Sequence, residues 1–422
     1  MSEAREKALA ASEAARVLAQ ASAEQRTQAI EQAACAVSDW RAEILAANAR
    51  DMERGRAAGM SEPLLDRLML NDARIDGIVA GMREVAAQAD PIGEVVGGRT
   101  LASGIRLTEV RVPLGVVAMV YEARPNVTAD AVCLTLRSGN ACVLRGGSAA
   151  HDSCVAIAEA CREGIARVGL PAACAQLIES ADREETVELM HATGLVDVLI
   201  PRGGHSLIHT CMAEATVPVI QTGEGNCHVF VEATADEAMA LEIIKNAKTQ
   251  RPGVCNAIET VLVDEGCAQG FLPQLLEACA SWGVRVHGCE RTCSAALELG
   301  LGDAVCVAAT EDDWAREYGS LDLAVRVVSG TNAAIEHVNA YTTHHSECIV
   351  TSLAEAADAF LAQVDAAAVY VNASTRFTDG GMFGLGAEIG ISTQKLHVRG
   401  PMGASALTTT KCLLRGCGQV RA

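Results

Sequence analysis

The sequence predicts an α/β protein with two domains, each built on a parallel sheet flanked by helices. Three observations favour this class. The first ~90 residues have helical periodicity, strand-like apolar runs then alternate with helical segments, and a second alternation follows Asp236. At 422 residues the chain is long enough for two or three apolar cores. Two such series imply two sheets around a cleft, the usual place for a ligand.

The elements follow from periodicity and from helix boundary signals. In the helical region, Asn71 or Asp72 is a capping candidate and Pro91 a stop, with Ile75, Ile78, Val79, Met82 and Val85 on one face. The first alternation predicts strands at 112–120, 141–145, 196–200, 218–221 and 228–232, with helices at 151–167, 183–192 and 206–212. The second predicts a helix ending at Lys248, helices at 268–281, 332–340 and 354–363, and strands at 258–263, 284–287, 323–328, 347–351 and 368–371.

The carboxyl-terminal tail follows a different pattern. Residues 380–390 are too rich in glycine for a regular element, and short β-like runs at 406–410 and 412–414 have no helix to pack on. We expect such a strand to pair with another subunit or with a projecting hairpin. A plain intramolecular edge strand is the alternative.

Composition excludes several classes of function. A net charge of −19 and an aromatic content of 3% argue against a nucleic-acid partner, since such proteins need clustered basic residues or stacking platforms. No apolar run approaches the ~20 residues that span a bilayer, and the charged amino terminus lacks a secretory signal, so we expect a cytoplasmic protein without membrane contact. The seventeen cysteines show no zinc-site spacing, which predicts reduced thiols and no metal.

Two strand ends carry glycine-rich turns that favour phosphate. Arg145-Gly146-Gly147-Ser148 leaves one strand, and Arg202-Gly203-Gly204 leaves another, each before a helix. Backbone N–H groups at a glycine-rich helix start bind phosphate, although glycine also serves ordinary turns. The usual G-x-G-x-x-G dinucleotide fingerprint is missing. Two such turns in one domain indicate a cofactor that carries phosphate.

Cys255 is the candidate nucleophile. It ends the polar segment Asn246–Cys255 and precedes the apolar strand at 258–263, so its thiol is expected to be half-exposed at a loop–strand junction. Nearby backbone N–H groups can favour the thiolate there. Most other cysteines fall in helical or strand patterns, where cysteine packs as a small hydrophobe.

Several motifs resemble those of the aldehyde dehydrogenase superfamily. They are Pro113-Leu-Gly115-Val-Val, Arg124-Pro-Asn126, Arg145 at a strand end, Gly203-Gly204, Gly223-Glu-Gly225-Asn226 and Cys255. Within it, the chain is similar over nearly its whole length to the gamma-glutamyl phosphate reductases. This likeness is carried by Glu122-Ala-Arg-Pro-Asn-Val-Thr, Asn246-Ala-Lys-Thr-Gln-Arg-Pro-Gly-Val-Cys-Asn-Ala, His345-Ser-Glu347-Cys-Ile-Val-Thr and residues 384–403.

The resemblance implies an aldehyde dehydrogenase-like fold with a small β oligomerisation arm, and it implies approximate domain boundaries. The nucleotide-binding domain would comprise 1–125 and 143–232, the catalytic domain 233–366, and the oligomerisation segments 126–142 and 385–422. A homo-oligomer is therefore expected. A transient complex with a glutamate 5-kinase is left open.

The resemblance also implies roles for individual residues. Cys255 would attack gamma-glutamyl phosphate and form a thioacyl enzyme, and the Asn126 amide with the Cys255 N–H would stabilise the oxyanion. The cofactor would be held by Arg145, Gly147, Ser148, Gly203, Gly204 and Phe383. It would be NADPH, because neutral Ser148 stands where NAD-preferring relatives carry an acid. Without the resemblance, Asn126 reads as a turn residue after Pro125.

The small-molecule substrate carries anionic groups and an ammonium. Its candidate anion binders are Arg124, Arg251 and Arg399, with Lys248 behind them and Asn256 beside Cys255. Glu347 or Glu388 could meet the ammonium, and each of these residues could equally be a structural charge.

Gln221 falls where hydrolytic relatives place a glutamate base, unless the register shifts and gives that role to Glu224. A glutamine cannot deprotonate water, which suits an enzyme whose thioester is passed to phosphate. The resemblance thus implies reduction of gamma-glutamyl phosphate to glutamate 5-semialdehyde, the second step of proline biosynthesis. The alternatives are a CoA-acylating or hydrolytic aldehyde dehydrogenase, or an inactive scaffold on the same fold.

Overall fold

The computed structural model describes residues 1–122 and 124–421, apart from the side chains of Pro63 and His205. Contacts divide the chain into two compact units, each assembled from separate stretches. Unit 1 comprises Met1–Thr222, Gly384–Gly390 and Met402–Ala422, and unit 2 comprises Gly223–Phe383 and Ile391–Pro401. The main division falls between residues 222 and 223, whereas the sequence interpretation placed it between 232 and 233.

Unit 1 opens with helices that precede its first strand: α1 (Glu3–Leu18), α2 (Ala23–Asp39), α3 (Arg41–Ala57), α4 (Glu62–Leu68) and α5 (Asp72–Ala87). The following elements are β1 (Val95–Thr100), β2 (Arg106–Pro113), β3 (Val116–Tyr121), α6 (Asn126–Arg137), β4 (Ala141–Gly146), α7 (His151–Arg167), β5 (Ala175–Leu177), α8 (Arg183–Met190), β6 (Val198–Arg202) and α9 (His205–Glu214). As predicted, Asn71 caps α5, because its side chain accepts a hydrogen bond from the Arg74 N–H.

The core of unit 1 is a parallel four-stranded sheet in the order β5-β4-β3-β6. Residues Val116, Ala118 and Val120 of β3 pack with the buried alanines of α1. Both faces of β3 are buried, as expected for a parallel strand covered by helices on each side.

The predicted strand 112–120 is two strands, because Gly115 breaks it. Gly115 has a φ of 131°, and a Cβ there would lie 2.1 Å from the Asp197 carboxylate.

The predicted strand 218–221 is wrong, since it forms only one bridge, between Leu199 and Val219. Pro218 has no N–H with which to extend the ladder.

Unit 2 contains β7 (Cys227–Val231), α10 (Glu237–Thr249), β8 (Ile258–Asp264), α11 (Glu265–Trp282), β9 (Arg285–Gly288), α12 (Glu290–Glu298), β10 (Cys306–Ala308), β11 (Asp322–Val328), α13 (Gly330–Tyr341), β12 (Ser346–Val350), α14 (Ala354–Gln363), β13 (Ala368–Val371), β14 (Ile391–Ser392) and β15 (Gly400–Pro401). Its seven-stranded parallel sheet has the order β10-β9-β11-β8-β7-β12-β13. Helices α10 and α11 cover one face and α13 and α14 the other. Two parallel sheets are thus present, as the alternation predicted.

The tail strand pairs as expected with a hairpin. Strand β16 (Thr408–Arg415) joins β2 in antiparallel register, and β1 lies on the other side of β2. Most of β16 is exposed, and it forms one edge of this three-stranded sheet. The segment 126–142, which the resemblance assigns to oligomerisation, forms α6 and the beginning of β4, and it is largely buried within unit 1.

No helix in residues 1–122 and 124–421 combines the length and the apolar character needed to cross a bilayer.

Candidate active site

Cys255 lies in the turn between α10 and β8, and its side chain is half-buried. Ten other cysteines are buried. Burial raises the pKa of the Cys142 and Cys161 thiols to about 12. Thiols of this kind stay protonated at neutral pH and pack as small hydrophobes. Cys255 therefore differs from the core cysteines in its access to solvent, as the loop–strand position predicted.

Two close contacts hold the backbone of Cys255. A Cβ on Gly225 would lie 1.4 Å from the Cys255 carbonyl oxygen, so only glycine lets the 223–226 segment pass this close. The Cys227 thiol donates to the same oxygen at 3.2 Å. Burial raises the pKa of Cys227 well above its usual value, which keeps this donor protonated. The nucleophile candidate thus stands on a backbone with little room to move.

Two arginines bring positive charge to the surroundings of Cys255. Arg251 is exposed in the preceding turn, and Arg376 is half-buried with its Nε donating to Gln250 at 3.1 Å. Burial and then the like charge of Arg251 lower the pKa of Arg376, whereas negative charge on groups that include Cys255 acts to raise it. The Arg376 guanidinium and the Cys255 sulfur are therefore close enough to interact electrostatically.

Arg376 was missed from the sequence, where no motif distinguishes it. It lies in the short turn Thr375–Phe377 after β13. Tertiary contacts position this turn, since the Ser346 hydroxyl at the start of β12 donates to the Thr378 hydroxyl at 2.7 Å. Only the folded chain brings this arginine toward residue 255.

Asn256 holds the segment that carries Arg376. Its side chain is 4% exposed, its Nδ2 donates to the Thr378 carbonyl at 2.9 Å, and its Oδ1 accepts from the Arg376 guanidinium. The Thr375 hydroxyl donates to the Asn256 carbonyl at 2.7 Å. The polar atoms of Asn256 are thus used within the protein, and its contribution to a site would be to position Arg376.

The remaining charged candidates of unit 2 differ in their access. Arg399 is partly exposed and pairs with Asp365 at 2.8 Å. Lys248 is fully buried, with its Nζ 2.6 Å from a Glu259 carboxylate oxygen. Glu347 is also fully buried, and it accepts a hydrogen bond from the His228 ring at 2.9 Å. Lys248 and Glu347 each have a partner within the core, which favours the alternative that both are structural charges.

Asn126 is the first residue of α6 in unit 1. Its Nδ2 donates to Asp130 Oδ2, one turn later, at 3.0 Å. The carbonyl of half-buried Arg124 accepts from the Val127 N–H at 3.1 Å and helps to begin the helix. Burial raises the pKa of Asp130 to about 6, although the charge of Arg202 and the Asn126 hydrogen bond oppose this rise. Asp130 was overlooked from the sequence, although its i+4 spacing from Asn126 is a usable signal.

Arg145 stands at the end of β4. Its guanidinium donates to the Gly146 carbonyl at 2.9 Å and to the Ala181 carbonyl at 3.2 Å. Its Nε is buried and has no hydrogen-bond partner within the described part of the chain. Burial and the like charge of Arg183 lower the pKa of Arg145.

These residues could hold an anionic group of a nicotinamide cofactor. Two guanidinium groups whose like charges interact are suited to a nearby anion. Gly147 leads directly into the short turn Ser148–Ala150, where Ser148 is exposed. Arg183 was not identified from the sequence, since it follows β5 by several residues and begins α8.

The glycine turn before α9 already holds an anion supplied by the protein. The Gly204 N–H donates to a Glu122 carboxylate oxygen at 3.2 Å, and a Cβ on Gly203 would lie 2.7 Å from that carboxyl carbon. A phosphate at this helix start would have to displace Glu122.

Phe383, the last cofactor candidate, lies in the glycine-rich segment 380–390. It is exposed, and it is the last residue of this segment that belongs to unit 2.

Among residues 1–122 and 124–421, no group of three or more His, Cys, Asp or Glu side chains is placed to hold a metal ion.

Comparison with known proteins identifies relatives over the whole chain. Residues 2–293 match the aldehyde dehydrogenase family. A gamma-glutamyl phosphate reductase from Moorella thermoacetica is 53% identical over 411 residues, which cover 97% of each chain. The crystal structure of the gamma-glutamyl phosphate reductase from Thermotoga maritima is 46% identical, covers 100% of both chains and superposes with a TM-score of 0.96.

An acetylating aldehyde dehydrogenase from Geobacillus thermoglucosidasius shares the fold, with a TM-score of 0.70 at 20% identity over 100% of this chain and 98% of that one. The predicted aldehyde dehydrogenase-like α/β fold is confirmed by these structures. The chain belongs to the gamma-glutamyl phosphate reductases, a family of aldehyde dehydrogenases.

Proposed function

We propose that this chain reduces gamma-glutamyl phosphate to glutamate 5-semialdehyde and phosphate with NADPH, through a thioacyl intermediate on Cys255. This is the glutamate 5-semialdehyde-forming step of proline biosynthesis, and the relatives are named for it. The observation that carries the proposal is the environment of Cys255. Its sulfur is half-exposed, its backbone is held by close contacts, and guanidinium charge lies nearby.

The first step is acyl transfer to sulfur. The Cys255 thiolate attacks the acyl carbon, the C–S bond forms, and the bond to the phosphate oxygen breaks with its electron pair leaving on phosphate. Arg251 and Arg376 can stabilise both the thiolate and the departing anion. Arg399 and Arg124 remain candidates for the other anionic groups of the substrate.

The second step is reduction of the thioester. A bound nicotinamide supplies the hydride. The resulting oxyanion would accept hydrogen bonds from the Asn126 amide and the Cys255 N–H, a donor contact typically worth about 3 kcal/mol. The thiohemiacetal then collapses, the C–S bond breaks, and Cys255 leaves as a thiolate ready for another cycle.

The cofactor preference rests on Arg145, Arg183 and Ser148. The first two would hold the 2′-phosphate, and the neutral hydroxyl of Ser148 adds no repulsion. Gly147 would allow the cofactor to approach the backbone at the end of β4, and Gly203 and Gly204 would contribute only if Glu122 moved.

We extend the proposal to a cytoplasmic homo-oligomer. The outer edge of β16 is exposed and available for pairing with another copy. A transient encounter with a glutamate 5-kinase would deliver the reactive acyl phosphate.

The test is the reverse reaction, in which glutamate 5-semialdehyde reduces NADP. Turnover should require phosphate. Without phosphate only a short burst of NADPH is expected, and arsenate should restore continuous turnover because its acyl ester hydrolyses spontaneously. Cys255→Ala should abolish even the burst, while the circular dichroism spectrum and NADPH binding stay unchanged.

Three outcomes would contradict the proposal. Rapid turnover with CoA in place of phosphate would identify an acylating enzyme. Vigorous oxidation with neither acceptor would identify a hydrolytic one, with Glu224 or another base in place of Gln221, since general-base help is commonly worth 10²–10⁴-fold. A burst retained by Cys255→Ala would exclude this cysteine as the nucleophile.

A further inference from the structure

A cluster of three cysteines lies in unit 2 at the edge strand of its sheet. Cys289 precedes α12, Cys293 lies in the first turns of α12, and Cys306 begins β10. The Sγ atoms of Cys293 and Cys306 are 4.0 Å apart. Nothing in the proposed reduction uses these thiols.

The two sulfur atoms of this pair differ in access. Cys293 is half-buried and lines a groove of about 480 Å³, together with Cys289, Glu290, Ser294 and Leu297. Cys306 is 7% exposed and lies behind it. A small oxidant that enters the groove therefore meets Cys293 first.

Local packing permits close approach of the two thiols. A Cβ on Gly288 would lie 2.9 Å from Thr292 and 3.2 Å from the Cys306 sulfur, so glycine leaves room for that sulfur beside the helix start. The Cys293 thiol donates weakly to the Gly288 carbonyl at 3.3 Å, which keeps it on this side of α12. Closing the gap to a bond of about 2.05 Å requires side-chain rotation and a small shift at the sheet edge.

From this geometry we infer that Cys293 and Cys306 form a peroxide-sensitive dithiol, which oxidises reversibly to a disulfide between α12 and β10. The Cys293 thiolate attacks one oxygen of hydrogen peroxide. An S–O bond forms, the O–O bond breaks, and the departing hydroxide is protonated to water. Cys293 is thereby oxidised by two electrons to a sulfenic acid, and peroxide is reduced.

The Cys306 sulfur then attacks the Cys293 sulfur. The S–S bond forms, the S–O bond breaks, and hydroxide leaves with the proton of Cys306 as a second water. Burial and then the charge of Cys293 raise the pKa of Cys306 to about 12. The Cys306 thiol therefore keeps its proton until it attacks, and that proton leaves with the hydroxide.

Cys289 supplies a third thiol in the same groove and serves as an internal control. Burial acts to raise its pKa, but hydrogen bonds from the Thr292 hydroxyl and from backbone N–H groups, including that of Val327, lower it overall. Its sulfur is engaged by Val327 and Thr292 and is not the partner that contacts Cys293.

The positions of the arginines let trypsin place Cys289 in one peptide and the Cys293–Cys306 pair in another. Cleavage after Arg291 and Arg316 releases residues 292–316, which contain Cys293, Cys306 and no other cysteine, whereas Cys289 lies in the peptide 286–291. The whole reduced protein is treated with graded hydrogen peroxide, denatured in N-ethylmaleimide, digested with trypsin and analysed by mass spectrometry.

We expect the 292–316 peptide to lose two hydrogen atoms and to carry no maleimide, and dithiothreitol should reverse this change. Cys289→Ser should leave the internal disulfide intact. Cys306→Ser should trap Cys293 as a sulfenic acid that dimedone labels, and Cys293→Ser should leave Cys306 reduced. Circular dichroism checks that each serine variant is folded.

Two results would overturn the inference. One is a link between the peptides 286–291 and 292–316, which would make Cys289 the partner. The other is progressive oxidation of Cys293 to a sulfinic acid in the unmodified protein without an internal disulfide, which would show that the folded chain holds Cys306 out of reach.

Discussion

The Nδ2 atom of Asn126 donates a hydrogen bond to Asp130 Oδ2 at 3.0 Å, across the first turn of α6. This bond fixes the orientation of the Asn126 amide, because the amide nitrogen can donate a hydrogen bond to a carboxylate and the amide oxygen cannot. The second N–H of the same nitrogen is then left in a defined direction. If Asn126 is the oxyanion donor, Asp130 is the residue that positions it.

Changing Asp130 should therefore lower turnover more than substrate binding. We expect Asp130→Ala to reduce kcat by roughly 10–100-fold with little change in KM, because an amide that rotates is a poorer transition-state donor. Asp130→Asn retains an acceptor and should lose less. Steady-state kinetics with glutamate 5-semialdehyde, phosphate and NADP measure both variants. Equal activity of the alanine variant and the unmodified protein would make the contact irrelevant to the reaction.

The same carboxyl predicts a pH dependence of stability. Because burial raises the pKa of Asp130 from 3.8 to about 6, the folded state favours the protonated form. This contribution is fully present below about pH 4 and is lost as pH rises through about 6. Asp130→Asn should thus be about as stable as the unmodified protein at pH 4 and relatively more stable at pH 7. Urea unfolding at both values tests this, and a constant difference would show that Asp130 is not desolvated.

Gly225 should be intolerant of any side chain. Gly225→Ala places a methyl group 1.4 Å from the Cys255 carbonyl oxygen, so one of the two backbone segments must move. We expect a loss of about 3 kcal/mol in the free energy of unfolding, together with a fall in alkylation of Cys255. Gly302→Ala is the matched control, because a Cβ at that position meets nothing within 4 Å, and it should change stability by less than about 0.5 kcal/mol.

Cofactor choice should respond to single changes beside Arg145. Arg183→Ala should weaken NADPH binding about tenfold and leave NADH binding unchanged, because only NADPH carries the 2′-phosphate. Ser148→Glu should reverse the preference, since like charges at this range repel by about 1–4 kcal/mol. Fluorescence titration with each cofactor measures the ratio. Arg56→Ala, an exposed arginine on α3, controls for net charge. If neither Arg183→Ala nor Ser148→Glu changes the ratio of the NADPH and NADH affinities, the ribose binds elsewhere.

The buried pair of Lys248 and Glu259 should behave as a structural unit. Lys248→Met leaves the Glu259 carboxylate buried without its partner and should cost about 3–5 kcal/mol of stability. The double variant Lys248→Met with Glu259→Leu should recover most of this loss. Chemical denaturation of the single and double variants provides the measurement. A single variant as stable as the unmodified protein would show that the pair does not act as a structural unit.

Much of the fold follows from local pattern. Helix α14 and strand β13 begin and end where periodicity predicted, and α7 also matches its predicted range. Helix α12 and strand β10 escaped notice because both are short. Gly115 shows what a hydrophobic pattern cannot predict. The run 112–120 was expected to be one strand, but the positive φ of Gly115 divides it into two, and the hydrophobicity of the run does not reveal this.

The site was less accessible to sequence reasoning. Cys255 could be singled out because its turn is a local feature. Arg376 and Arg183 could not, since they join the surroundings of Cys255 and Arg145 only after distant segments pack. The core position of Lys248 could not be recognised for the related reason that its partner Glu259 lies across a turn from it, on β8.

The ten buried cysteines can also serve as natural reporters of local unfolding in this protein. Burial raises the pKa of Cys279 and Cys348 to about 12, and such thiols stay silent toward alkylating reagents while the fold is closed. Each of them except Cys306, the inner thiol of the proposed dithiol pair, becomes reactive only when its own region opens. Because they are distributed through both units, the order in which an alkylating reagent labels them under mild denaturant would map which part of the chain opens first, without any engineered cysteine.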